Sequence, residues 1–143
     1  MEFRSHQIAV ESQGFCDILD LTPQLGALLS REGLQEGSAL LFVGGATAGL
    51  TTIEYESGAV GDLRAAIERL APTDLHYAHD ARWGDGNGFS HVRAALLQPD
   101  LEIPVSGGEL LLGTWQQVVL CDFDNRPRQR RIICQLRGRF AAA

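Results

Sequence analysis

The side chains of this 143-residue chain that could do chemistry are concentrated in residues 76–91, HYAHDARWGDGNGFSH. The stretch holds His76, His79 and His91, the carboxylates of Asp80 and Asp85 (with Asp74 just outside), Trp83, and glycines at 84, 86 and 88. It follows no hydrophobic period, so packing alone does not explain it. Imidazole and carboxylate are ligand types for zinc and other first-row metals. His76 and His79 are three apart and would face one ion from a single helical turn, with the glycines letting the backbone fold tightly around it. The same residues could do acid–base work without a metal, a histidine oriented by a carboxylate being the usual general base. No established ligand spacing such as HExxH is met, and a polar loop satisfying its own backbone would carry the same residue types. On the residues alone these three readings stay open.

Other side chains invite weaker readings. Six of the twelve arginines (126, 128, 130, 131, 137 and 139) fall in the last eighteen residues, and no acid follows Asp124. Guanidinium groups there could clamp a phosphate, or form a solvated hairpin or a subunit contact. Thr52, Glu54 and Glu56 alternate on a β-branched run, so their shared face could line a cavity or simply face water. Cys121 and Cys134 lie on apolar strand patterns and read as inert small hydrophobes. His6 stands alone on a strand and reads as a surface or core histidine.

The elements that must position these groups follow from periodicity. Phe3–Glu11 and Phe15–Leu19 are predicted strands. Thr22 and Pro23 start a helix that buries Leu25, Leu28 and Leu29 and stops at Gly33. Ser38–Val43 is a continuous apolar run, as in a strand buried on both faces, and Leu50–Glu56 alternates as a strand. Ser57 is the expected cap of a helix over Val60–Leu70, buried at Val60, Leu63, Ile67 and Leu70. After the His-rich loop, Ser90 is the expected cap of a short helix through Leu97. Leu101–Val105, a Ser106–Gly107–Gly108 turn, Leu110–Leu112 running into a long strand Trp115–Phe123, and a last strand Arg128–Leu136 complete a β-rich second half. Ala141–Ala143 is expected to fray. The order implies an α+β fold with mostly antiparallel strands and two to three helices.

Composition narrows the function classes. The chain reads as one domain, 1–143, with a core over about 3–137. A net charge of −6 argues against a general nucleic-acid binder. Three cysteines without CxxC spacing fit neither a disulfide framework nor a zinc ribbon, and read as thiols of a cytoplasmic protein. The N-terminal segment has no apolar stretch of signal-peptide type, and no run approaches a membrane span.

Three segments, ATAGLTTIEYESG (46–58), WGDGNGFSHVRAALLQPDLEIPV (83–105) and GTWQQVVLCDFDNRPRQRRI (113–132), together resemble the YjbQ-like family of secondary thiamine-phosphate synthases. The resemblance implies a β-sandwich with outer helices, assembled as a homotrimer, with a small-molecule pocket near the subunit boundary. It implies a weak activity joining a pyrimidine methyl diphosphate to a thiazole phosphate with release of pyrophosphate. Carried over by position, it implies catalytic roles for Asp85, His91 and Glu54. Ligand contacts are implied at Thr47 and Asn87 and are expected besides at Trp83 and, from the arginine-rich last hairpin, at Arg130, with a divalent ion, Zn²⁺ or Mg²⁺, at His79 and His91. The family pattern carries histidine where this chain has Gly45, Ala78 and Phe89. Enzyme, catalytically degenerate binder of a phosphorylated or heterocyclic metabolite or ion, and structural trimer are therefore all compatible with the sequence. Gly45 and Phe89 together would turn the pocket towards a flat apolar ring.

Overall fold

The structure, a computed structural model, describes residues 1–142. Its elements are β1 (Glu2–Ser12), β2 (Asp17–Asp20), α1 (Thr22–Glu32), β3 (Leu34–Val43), β4 (Ala48–Ile53), α2 (Ser57–Leu70), α3 (Ala78–Trp83), α4 (Gly88–Leu97), β5 (Asp100–Ser106), β6 (Glu109–Leu110), β7 (Gln117–Asp122) and β8 (Arg128–Phe140). Among the described residues this is an α+β fold with four helices rather than two to three, because part of the His-rich stretch expected as a loop forms α3. The strands form a five-stranded sheet, β1-β8-β3-β5-β6, and a three-stranded sheet, β2-β7-β4, every pair antiparallel.

Period-two alternation places the core. Ile8, Ala39, Leu41, Val43, Ile103, Val105, Ile132, Cys134 and Leu136 point from the larger sheet towards Leu50, Val118 and Leu120 of the smaller one, and α1 closes this layer with Leu25, Leu28 and Leu29. The other face of the smaller sheet packs Ile18, Val119, Cys121 and Phe123 against Val60 and Ile67 of α2 and Ala94 of α4. The layers thus run large sheet, small sheet, helices. β7, central in the middle layer, is the strand buried on both faces. The apolar run Ser38–Val43 is not: its alternate face is the open outer surface of the large sheet, where Phe42 is 41% exposed.

β3 and β8 cross closely where Gly37 (φ 147°) pairs with Gly138 (φ 144°), next to a register shift at Leu34/Glu36. A Cβ on either glycine would lie 1.9 Å from a carbonyl oxygen of the opposite strand, so only glycine fits this crossing.

Several local expectations need correction. Thr22 does not cap α1; its hydroxyl accepts the Val118 N–H at 2.8 Å and ties the helix to β7. Glu56, not Ser57, caps α2 by accepting the Gly58 and Ala59 N–H groups, so the strand stops at Ile53 and the face Thr52–Glu54–Glu56 does not form. Leu70 faces water rather than the core. The long strand from Leu110 is broken by a turn over Thr114–Trp115. β8 runs on to Phe140, and the Ala141 N–H donates to Gly33 O at 2.7 Å, which holds the tail against α1; Ala143 lies outside the described residues.

Candidate functional site

The His/Gly stretch is two helix ends facing each other. α3 ends at Gly84 in the left-handed conformation (φ 71°), Gly86 (φ 70°) turns the chain again, and Asn87 sits at the start of α4. Gly88 is required by close approach: its Cβ would lie 2.5 Å from Tyr77 Cβ. Asp80 Oδ1 accepts the Gly88 N–H at 2.8 Å, locking α4 onto α3. Ser90, expected as a cap, is instead fully buried and donates its hydroxyl to Phe123 O, fastening α4 to the end of β7. Asn125 Nδ2 donates to Asp85 O at 2.8 Å, anchoring the turn from the other side.

This framework brings imidazole and carboxylate together. The His79 and His91 rings lie 4.4 Å apart between centroids. His79 Nδ1 is 3.5 Å from Asp80 Oδ1 and 3.5 Å from Asp85 Oδ1. With its amide nitrogen turned towards Asp85, Asn87 donates to both carboxylate oxygens, at 3.2 and 3.1 Å. Ligand atoms of His79, Asp80 and Asp85 all fall within 4.8 Å of one another. One ion held at about 2.0–2.2 Å from each would need only small side-chain shifts to reach them, and nitrogen with carboxylate oxygen is a donor set that zinc accepts. His76, expected to share an ion with His79, precedes α3 and is exposed outside this cluster.

The opposite wall is built where the two sheets meet. Arg130, only 9% exposed, donates from Nε to Asp122 Oδ2 at 2.7 Å and from Nη2 to Asp122 Oδ1 at 2.9 Å. The same Nη2 donates to Thr47 Oγ1 at 2.7 Å, and that hydroxyl donates to Asp124 Oδ2 at 3.2 Å. Arg128 Nε donates to Asp124 Oδ2 at 2.6 Å. The Asp122 carboxylate holds Arg130 more firmly protonated than an ordinary arginine. Burial alone would push the Asp124 carboxyl up, but the Asn125 N–H and Arg128 outweigh it and hold it below the ordinary carboxylate range.

Between these walls lies an open cleft of about 540 Å³, lined by Gly45, Ala46, Thr47, His79, Trp83, Asp85, Asn87, His91, Arg128 and Arg130. Trp83 forms its outer rim, 66% exposed. Seven of the expected site residues (Thr47, His79, Trp83, Asp85, Asn87, His91 and Arg130) therefore share one cleft. Glu54 does not. It lies at the far end of β4 from Thr47, roughly 23 Å along an extended chain, and lines a separate cleft with Tyr55, Trp115 and Gln117. Phe89 does not reach the cleft either: it is buried beneath α4, with the Arg93 guanidinium 5.0 Å from its ring centroid. Phe89 therefore does not set ligand choice, contrary to expectation.

Asp122 and Asp124 carry the inner wall with Arg128 and Arg130; the arginines were expected there as a phosphate clamp, the two aspartates were not singled out by sequence reasoning. A signal was present. Asp122–Phe123–Asp124 and Arg128–Gln129–Arg130 are each spaced by two, so each pair shares a strand face on either side of one turn. The cysteines are buried, and burial pushes the Cys121 thiol to about 12 and Cys134 to about 11, so neither serves as a nucleophile.

The model of the family described as UPF0047 protein YjbQ-like matches residues 6–139. A UPF0047 protein of Methanothermobacter thermautotrophicus is 30% identical over 139 residues, 97% of this chain and 95% of that one. A UPF0047 protein of Mycobacterium tuberculosis is 40% identical over 116 residues, covering 81% of this chain and 84% of that one. Among solved structures, a hypothetical protein of Aeropyrum pernix superposes with a TM-score of 0.88 at 26% identity, over 95% of this chain and 99% of that one. A YbjQ-like protein of unknown function from Sulfolobus solfataricus gives a TM-score of 0.86 at 24% identity, over 96% and 100%, which speaks to the fold alone.

Proposed function

We propose that this chain, which belongs to the YjbQ-like UPF0047 family, binds a small phosphorylated ligand together with a divalent metal ion in the cleft between α3–α4 and the Asp122–Arg130 corner, and that its reaction is of the thiamine-phosphate synthase type. The observation that carries the reading is the convergence of His79, Asp80 and Asp85 within 4.8 Å, beside His91 and facing Arg128 and Arg130 across one cleft. In this reaction a C–N bond forms between the pyrimidine methylene and the thiazole nitrogen while the C–O bond to pyrophosphate breaks. A divalent ion, when bound, supplies positive charge for the departing pyrophosphate. His79, Asp80 and Asp85 would hold that ion, with His91 beside them and Asn87 orienting Asp85. Arg128 and Arg130 would meet phosphate oxygens, and the exposed Trp83 ring offers a face to a planar heterocycle. Glu54 has no part in this reading.

The finer architecture follows the same line. Two sheets sharing one apolar layer support a β-sandwich with helices on one side. The uncovered outer face of the large sheet sets Phe42 directly opposite Ile133, with Phe3 on the neighbouring strand, and this apolar surface supports assembly into a homotrimer. No helix among the described residues is long and apolar enough to cross a membrane. The three free thiols suit the reducing cytoplasm.

Supplying the pyrimidine diphosphate and the thiazole phosphate with Mg²⁺ or Zn²⁺ tests the assignment. Product should form, and Asp85→Ala or His91→Ala should abolish it without changing the oligomer seen by light scattering. Unchanged turnover in both variants would remove the assignment. A second reading, a binder without turnover, is favoured by the lack of an imidazole at Gly45, which lines the cleft, and by the distance of Glu54. It expects thermal stabilisation by the substrates with no product.

A further inference from the structure

Arg130 spends two of its three nitrogens on the interior and leaves the third for the cleft. Nε and Nη2 are committed to Asp122 and Thr47. Among the described residues Nη1 has no hydrogen-bond partner, although the residue is nine-tenths buried. A Cβ at Gly45 would lie 3.3 Å from Nη1. Gly45, in the left-handed region at φ 104°, thus leaves uncovered the spot where any side chain would sit over that nitrogen. A guanidinium held on one edge by a buried carboxylate and open on another is a preorganised oxyanion donor.

The cleft also continues past this point. Gly45, Ala46 and His91 are shared with an adjoining groove of about 350 Å³, whose remaining walls are Ala48, Ala94, Ala95 and Pro99. These walls are short and apolar, so they leave room for a flat body and offer it no polar partner.

We propose that Gly45 and Arg130 Nη1 form an anion port that fixes the oxyanion end of the ligand, and that the alanine-lined groove beside it takes the ligand's flat apolar body. The inference rests on the proposed ligand-binding role of this cleft and assigns the ligand's two ends to separate places in it, the oxyanion at Gly45 and Arg130 and the ring beside Ala48, Ala94 and Ala95. Charge supports the arrangement. Asp122 and Asp124 are already matched by Arg130 and Arg128, so the carboxylates that would repel an anion are Asp80 and Asp85 on the opposite wall. A cation bound there relieves the repulsion, and anion and cation then occupy the cleft together.

The test uses methyl phosphate and phenyl phosphate, which carry the same head and differ in the body. Each is titrated calorimetrically into the full chain in the presence of one equivalent of Zn²⁺, and zinc uptake by the unaltered chain is measured separately. Phenyl phosphate should bind roughly tenfold or more tightly than methyl phosphate, as expected for burying one ring. Gly45→Ala should weaken both by about tenfold, as for loss of one hydrogen bond to a charged group. Ala95→Leu, on the exposed face of α4, should fill the groove and bring the two affinities together. Equal affinities in the unaltered chain, or a phenyl preference that survives Ala95→Leu, would overturn the groove. Methyl phosphate binding that is indifferent to Gly45→Ala in a folded variant would overturn the port. If Gly45→Ala does not fold, the paired change Asp122→Leu with Arg130→Met, which removes the guanidinium without stranding a buried carboxylate, is the second variant, and undiminished methyl phosphate binding by it would overturn the port. Zinc uptake with no effect of these variants sinks the port and leaves the proposed function standing. The expected phosphate pattern with no zinc uptake does the reverse.

Discussion

Asp122→Ala is the most informative single change to the inner wall. Asp122 is fully buried at the end of β7, and both its oxygens accept from Arg130, whose side chain is one-tenth exposed. Removing the carboxylate leaves a guanidinium that is nine-tenths buried in the corner between the two sheets without its two charge-assisted hydrogen bonds. Breaking a buried ion pair from one side costs about 3–5 kcal/mol, a large part of the 5–15 kcal/mol or so that holds a domain folded. For a chain of this size that lowers the melting temperature by roughly 6–20 °C. Thermal and urea denaturation, followed by circular dichroism, would read it directly. The reversal Asp122→Leu with Arg130→Met, which fills the same space without charge, should recover most of the loss while leaving the cleft without its anion donor. A single-variant cost below about 1 kcal/mol, the range of an exposed pair, would refute the reasoning. So would a double variant no more stable than the single one.

Gly88→Ala should destabilise the chain in urea titrations, although alanine is the better helix former by about 1 kcal/mol, because the added Cβ meets Tyr77 Cβ at 2.5 Å; a stabilised variant would contradict the packing of α3 on α4. The depressed Asp124 carboxyl contributes stability that is fully present above its unfolded pKa of about 3.9 and is lost as pH falls through the lower folded value. Asp124→Asn should therefore flatten the fall of melting temperature below about pH 4, and an unchanged acid limb would speak against that role. Cys121, with its thiol pushed to about 12, should resist iodoacetamide at pH 8 in the native state and react only after unfolding; rapid native labelling would show that β7 is not buried on both faces.

The readable parts of the sequence were those where one residue type has one physical use. Leu25, Leu28 and Leu29, spaced for one helix face, and Gly33 at its left-handed end mark α1 without ambiguity. The site was legible as a cluster because imidazoles, acids and glycines have no packing reason to gather in one stretch. Its framework was harder. Ser90 and Thr22 are good caps by type, yet each spends its hydroxyl on a backbone group of β7 or of the turn beyond it, a partner set by the tertiary fold. The apolar run Ser38–Val43 cannot by itself tell an open sheet face from a covered one, since Phe42 gains its neighbours, if any, from outside the chain. Glu54 looked equivalent to Asp85 as a carboxylate, and only the length of β4 separates them. The Asp122–Arg130 corner joins two sheets through a turn, so its pairing shows only once both strand faces are known.

The central claim is that the cleft holds a divalent ion on His79, Asp80 and Asp85. Elemental mass spectrometry of protein purified without a histidine tag or chelator, then dialysed against a slight excess of Zn²⁺ and desalted, tests it most directly. The account expects ~1 zinc per chain, lost in both His79→Ala and Asp85→Ala. A chain that retains no zinc, or retains it equally in both variants, would contradict it.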